Sequence, residues 1–170
     1  LAAGELIKQA SMLAAAGAAQ ASWYALLDQR WFPNMGLYAG SAPKPQASAF
    51  QVMQQLLALG RPQRLNLGDP LLFAYRFGAD TTVVWGAPRA IAVDGGTIRD
   101  ATGGVPPAPA VSERPLVITG TTAIRFGPST WIADTLMGWG TPQWVHLNRL
   151  APAAKAAANR APGPGRPPTV

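Results

Sequence analysis

The stretch "ASWYALLDQRWFPNMGLY", residues 21–38, gathers two Trp, two Tyr and a Phe around Asp28 and Arg30. Flat aromatic rings offer stacking surfaces, and Asp28, Gln29 and Arg30 offer hydrogen bonds to hydroxyl groups. The competing use of these charges is a local ion pair in a solvated loop. Other chemically active groups are sparse. The two Glu are Glu5, a first-turn acid favoured by the helix dipole, and Glu113, in a Pro-rich spacer. His146 is the sole His. With Asp134 and Ser129 it completes the residue types of a hydrolytic triad, but no G-x-S-x-G turn presents the serine. A packing or surface role is therefore expected for His146. No Gly-rich phosphate loop or metal-ligand spacing appears, so neither a metal nor a cofactor is expected. Lys44, between Pro43 and Pro45, reads as a turn residue that enters a helix.

Composition narrows the classes further. The chain has 170 residues, 48% of them hydrophobic, which suits one domain or two small pieces. The absence of Cys excludes disulfides and thiolate metal sites. Net charge is +6, but the 14 Lys and Arg are scattered singly, so no nucleic-acid partner is expected. No apolar run reaches the roughly 20 residues of a membrane span. No basic segment with a cleavage site is visible as a signal peptide.

The elements that must position these residues fall into two patterns. Leu6, Ile7, Ala10, Leu13 and Ala14 lie at helical spacing over residues 3–17, and Gly17 is a natural stop. Residues 20–27 read as a buried strand that runs into a breaker-rich loop, 28–44. A second helix starts near Pro45, carries Phe50, Met53, Leu56 and Leu57 on one face, and ends at Gly60. After residue 63 the pattern is β. "LLFAYRFG" (71–78) and "TTVVWGA" (81–87) form a hairpin signal, followed by "RAIAVDGG", "GTIRDATGG" and "LVITG" with Gly and Asp turns. These predict an antiparallel sandwich, with Trp85 in its core. Residues 121–150 hold Phe126, Trp131, Trp139 and Trp144 and stay unassigned. Residues 151–170 contain fourteen Ala, Pro or Gly and no acid, and read as disordered.

This order resembles the C-terminal end of retaining glycosidases built on a (β/α)₈ barrel with an appended β-sandwich, as in glycoside hydrolase family 39 and its clan A neighbours. "LAAAGAAQASWYALLDQ" is similar to the seventh barrel helix running into the eighth strand. "MGLY...PKPQASAFQVMQQLL" resembles the following loop and eighth helix. "FAYRFG...TTVVWGAPRAIAV" and "IRDATGG...ERPLVITG" resemble the sandwich. The resemblance covers residues 1–120. It implies a fold of barrel fragment, the last helix-strand-helix over residues 1–62, followed by an antiparallel β-sandwich over 63–120.

The resemblance implies a carbohydrate substrate. Barrel active sites lie at the C-terminal ends of the strands. There Trp23 or Tyr24 would stack on a sugar ring, since alternation along a strand lets only one face it. An aromatic four residues before the strand-end acid favours Tyr24, with Asp28 binding at the rim. Trp31 and Phe32 form either an outer sugar subsite or a cover on the seam between barrel and sandwich. The catalytic carboxylate pair would lie upstream of Leu1, so this chain alone is expected to be inactive. It would pack on the missing N-terminal part of the barrel, and the parent would be extracellular or periplasmic. Two alternatives stand beside this reading. One is a non-catalytic carbohydrate-binding β-sandwich, with residues 1–60 as a connector. The other is a structural or interaction module using the 126–144 aromatics.

Overall fold

The computed structural model describes residues 2–23, 25–31 and 34–129. Helix α1 spans Ala2–Ala16 and helix α2 spans Pro45–Ala58. Gly17, at φ 91°, ends α1 in the left-handed region that glycine adopts without a Cβ penalty. Pro45 opens α2, where its missing N–H costs no helix bond. The N–H groups of Leu59 and Gly60 close it on the carbonyls of Leu56 and Leu57. The two helices pack against each other.

The remaining elements are short antiparallel strands. A small hairpin joins β1 (Tyr38–Ala39) to β2 (Ala42–Pro43). Strands β3 (Gln63–Leu65), β4 (Leu72–Phe77), β5 (Thr81–Gly86), β7 (Thr97–Asp100) and β9 (Leu116–Thr119) form a five-stranded sheet, ordered β3-β4-β5-β9-β7. Strands β6 (Arg89–Asp94), β8 (Ala110–Val111) and β10 (Ala123–Phe126) form a three-stranded sheet, ordered β10-β6-β8. The described fold is thus mostly antiparallel sheet with two helices, in keeping with the expected sandwich.

Alternation of side chains divides the five-stranded sheet into two buried faces. Tyr75, Phe77, Val83, Trp85 and Val117 face one way and share a cluster with Leu6, Ile7 and Leu56 of the helices. Leu72, Ala74, Val84, Leu116 and Ile118 face the other way. They cluster with Val111, Ile91, Val93, Ile124 and Phe126 of the second sheet. The layers therefore run helices, large sheet, small sheet. Trp85 lies in the core as expected, its ring stacked between Phe73 (5.6 Å between centroids) and Tyr75 (5.3 Å). Residue 63 separates the helices from the two larger sheets, but one cluster spans it.

Two turns depend on glycine. A Cβ on Gly86 (φ 148°) would stand 2.1 Å from the Leu71 carbonyl oxygen, where the chain leaves the large sheet for the small one. A Cβ on Gly96 (φ 73°) would stand 2.3 Å from the Thr119 carbonyl oxygen, where it returns.

The structure differs from expectation at four places. The described residues of the expected strand, 20–23 and 25–27, form no strand. Their single bridge is Leu27 to Tyr38, and Ala25 sits at φ 73°, outside any ladder conformation. Nor is the segment buried: Leu26 is 63% and Leu27 50% exposed. A strand needs a ladder partner, and none lies beside residues 20–25 among the described residues. The loop 28–44 contains the β1–β2 hairpin. The Pro-rich spacer supplies β8. Of the unassigned segment, residues 123–126 form β10 and complete the second sheet. Trp131, Asp134, Trp139, Trp144, His146 and the expected disordered tail lie outside the described residues.

Because helices and sheet share one core, they should unfold together. Leu6→Ala, in a site 2% exposed, is expected to cost about 2–5 kcal/mol. In urea, the far-ultraviolet helix signal and the near-ultraviolet signal of the buried Trp85 stack should shift by the same amount. Separate midpoints would mean that the helices form an independent unit.

Candidate functional site

The loop between the helices is closed by its own ends. The Asp28 carboxylate accepts two hydrogen bonds from Lys44 Nζ, at 2.8 and 3.0 Å, and one from the Gly36 N–H at 2.8 Å. The Asp28 N–H donates to the Tyr38 carbonyl at 3.0 Å. The N–H groups of Leu37 and Tyr38 both donate to the Leu26 carbonyl, and the Lys44 N–H donates to that of Leu37. Gly36 is needed here, because a Cβ would stand 2.3 Å from the Asp28 nitrogen. Leu37 is buried beneath. Lys44 thus fastens the far end of the loop to Asp28 and begins α2 with its next residue.

This geometry assigns Asp28 a holding role. The Lys44 hydrogen bond, assisted by the Gly36 N–H, keeps its carboxyl below the ordinary carboxylate value despite partial desolvation. Both oxygens already accept hydrogen bonds from the protein, so Asp28 anchors the loop. Of the rest of the trio, Arg30 places its guanidinium 5.2 Å from the centroid of the Trp31 ring, a cation–π contact. Trp31 is 78% exposed. Phe32 lies outside the described residues.

Trp23 stands apart from that latch. It lines a groove of about 400 Å³ with Leu13, Ala14, Phe50, Met53 and Leu57 from the two helices. Its side is open to solvent at 37%. Tyr24 lies outside the described residues. The structure therefore brings Asp28 together with Lys44, and Trp23 together with the helices.

Four further carboxylates are occupied with structure. Glu5 pairs with Lys8 one turn along α1. Burial raises the Asp69 carboxyl, but the Arg89 guanidinium and the Leu71 N–H outweigh it and hold it low. Arg125 holds Asp94 low. Burial likewise raises Asp100, and the Thr102 hydroxyl with the N–H groups of Thr102, Gly104 and Gly103 brings it below the usual value. A general acid needs the opposite shift. Among the described residues no three His, Asp or Glu side chains gather as a metal site. No described helix is long and apolar enough to cross a membrane.

Sequence reading did not single out a cleft of about 320 Å³ between the two sheets, bordered by Arg76, Asp80, Thr82, Ile124 and Phe126. Its signal was parity. Counting by twos from the core residues Leu72 and Ala74 leads to Arg76, an inward position carrying a charge. The other wall was hidden because β10 was not recognised.

Comparison with known proteins is silent: no protein family, curated protein or solved structure matches this chain.

The Asp28 latch has a pH signature. Its folded-state pKa lies below the reference value of 3.8. Its stabilisation is therefore fully present above that value and is lost as pH falls through the lower, folded one. Asp28→Asn is expected to melt below the native chain near neutral pH. The gap should narrow in acid, below about pH 4, as the native carboxylate protonates. Melting curves from neutral to acidic pH check this, and a pH-independent gap would contradict it.

Proposed function

We propose that this chain is the C-terminal part of a retaining glycoside hydrolase acting on an oligosaccharide or polysaccharide. Residues 1–62 would close its (β/α)₈ barrel, and the parent would be exported to the periplasm or the cell exterior. The observation that carries this reading is the state of residues 20–27. They lie between two helices, the described ones (20–23 and 25–27) have no ladder beyond the Leu27 bridge to Tyr38, and they expose Trp23, Leu26 and Leu27. Barrel strands obtain both their hydrogen bonds and their burial from neighbouring strands. Pairing with neighbouring strands would give residues 20–23 a ladder and cover these side chains. The residue order in "ASWYALLDQ" and "PKPQASAF" supports the same assignment.

In such an enzyme a carboxylate attacks the anomeric carbon while a carboxylic acid protonates the departing oxygen. Water then releases the sugar from the covalent intermediate, with the second group acting as base. Both groups would come from upstream strands. This chain would contribute the last strand, an aromatic surface at Trp23 or Tyr24, and a latched loop beside the strand end. Asp28 would shape that loop through Lys44 rather than touch sugar. Stacked rings are also a feature of sugar-binding sandwiches. Here, however, the Phe73–Trp85–Tyr75 stack is covered by the helices, with Trp85 6% exposed. The described sandwich therefore offers no open platform of coplanar rings, and the hydrolase reading is preferred.

The test is to read the gene upstream of the Leu1 codon and express the full product. An in-frame extension of roughly 200 residues, the bulk of a barrel, is expected. Two strand-like segments in it should end in acidic residues. Changing the acid/base carboxylate to its amide should lower turnover of an unactivated glycoside about 10²–10⁴-fold. Nuclear magnetic resonance should show the product first in the substrate's anomeric configuration. An extension without two such acids, or an inverted product, would reject the proposal.

A further inference from the structure

We infer that the cleft between the two sheets is a second, non-catalytic ligand site, which takes one ring of a neutral sugar. The inference stands apart from residues 20–44 and does not depend on where the catalytic pair lies.

The register of β4 and β5 sets Arg76 directly opposite Thr82. Both lie on the face that carries Ala74 and Val84 into the inter-sheet core. The core therefore ends in a guanidinium and a hydroxyl instead of closing with apolar side chains. A cavity of about 320 Å³ opens there. Thr82 is 3% exposed and lines the cavity. A hydroxyl on a cavity wall can donate to or accept from a polar ligand atom. Arg76, on the same wall, has no ion-pair partner among the described residues.

The lining selects the class of ligand. Leu65 from the large sheet and Ile124 and Phe126 from the small one make part of the lining apolar, while Arg76, Asp80 and Thr82 make part of it polar. A sugar ring has the same division, with C–H groups on its face and hydroxyls around its edge. One cation and one anion share the mouth, so the site does not favour an anion on charge alone. Instead they supply complementary functions. The guanidinium can donate to neighbouring hydroxyl oxygens, the Asp80 carboxylate, which already takes the Thr81 hydroxyl on one oxygen at 3.3 Å, can accept a hydrogen bond from a ligand hydroxyl on the other, and Thr82 can do either. The volume lies at the small end of ligand pockets, about 300–1,000 Å³, which suits one ring and not a buried oligomer.

Affinity electrophoresis of the 170-residue chain through soluble xylan, β-glucan and galactomannan tests this, with polygalacturonate as the charged comparison. At least one neutral glycan should retard the chain. Arg76→Gln and Thr82→Val should each weaken that retardation about tenfold, whereas Arg114→Gln, with the same charge change, should leave it intact. Arg76 is exposed, so its variant decides the matter if Thr82→Val melts early. Four results would each overturn the inference: no retardation by any neutral glycan, retardation by polygalacturonate alone, retention by both cleft variants, or equal loss in Arg114→Gln. None of these bears on the upstream acids, so the hydrolase proposal stands or falls separately.

Discussion

Strand β5 is buried on both faces, and the rest of the structure is arranged to cover it. Thr81 through Trp85 are all buried. Val83 and Trp85 face the helices, and Val84 faces the second sheet. A strand in the middle of three layers cannot alternate apolar with polar, so "TTVVWG" reads as a nearly continuous buried run. Helices α1 and α2 supply one cover. Strands β6, β8 and β10 supply the other. If either cover were missing, a sheet face rich in aromatic or branched side chains would meet water, at a cost of about 25 cal/mol for each Å² of apolar surface.

Polar contacts then fix how the chain moves between layers. Arg89 is buried at the start of β6, pairs with Asp69 from the β3–β4 connection, and donates its Nε to the Ala87 carbonyl. Asp100 gathers the N–H groups of Thr102 and Gly104 and so ties the turn after β7. Asp28 performs the corresponding task between the helices. In each case one carboxylate satisfies several donors at a point where regular structure stops. These acids shape connections, which is why their carboxyls are held low.

Much of this architecture was legible in the residues. Gly17, Pro45 and Gly60 punctuated the helices, and the β4–β5 hairpin followed from two apolar runs separated by a short turn. What escaped was structure set by distant partners. The two-residue strands β1, β2 and β8 are too short to carry a period, and Pro43 and the prolines around β8 argued for loops. β10 is half exposed, and its "AIRF" is defined by pairing with Asp94 through Ile91. Residues 20–27 show the opposite failure. Their composition suits a strand, but a ladder is a property of two segments. At the candidate site, the sequence placed Asp28 beside aromatics but could not show that Lys44, sixteen positions away, would take up its carboxylate. The inter-sheet cleft required both the register of β4 against β5 and the existence of β10.

The path of the chain through the sheets also governs how the molecule can assemble. After β5 it passes to the small sheet for β6, returns for β7, and alternates again through β8, β9 and β10. Neither sheet is a contiguous piece of sequence. The large sheet lacks the strand joining β5 to β7 until residues 116–119 arrive, and the small sheet lacks an edge until residues 123–126 arrive. Local hairpins can form early, but every later strand must close a loop before it gains a partner. Such non-local pairing raises contact order and places folding toward the slow end for single domains, about milliseconds to seconds. During synthesis the half-built sandwich would hold open edges until nearly the last described strand has left the ribosome.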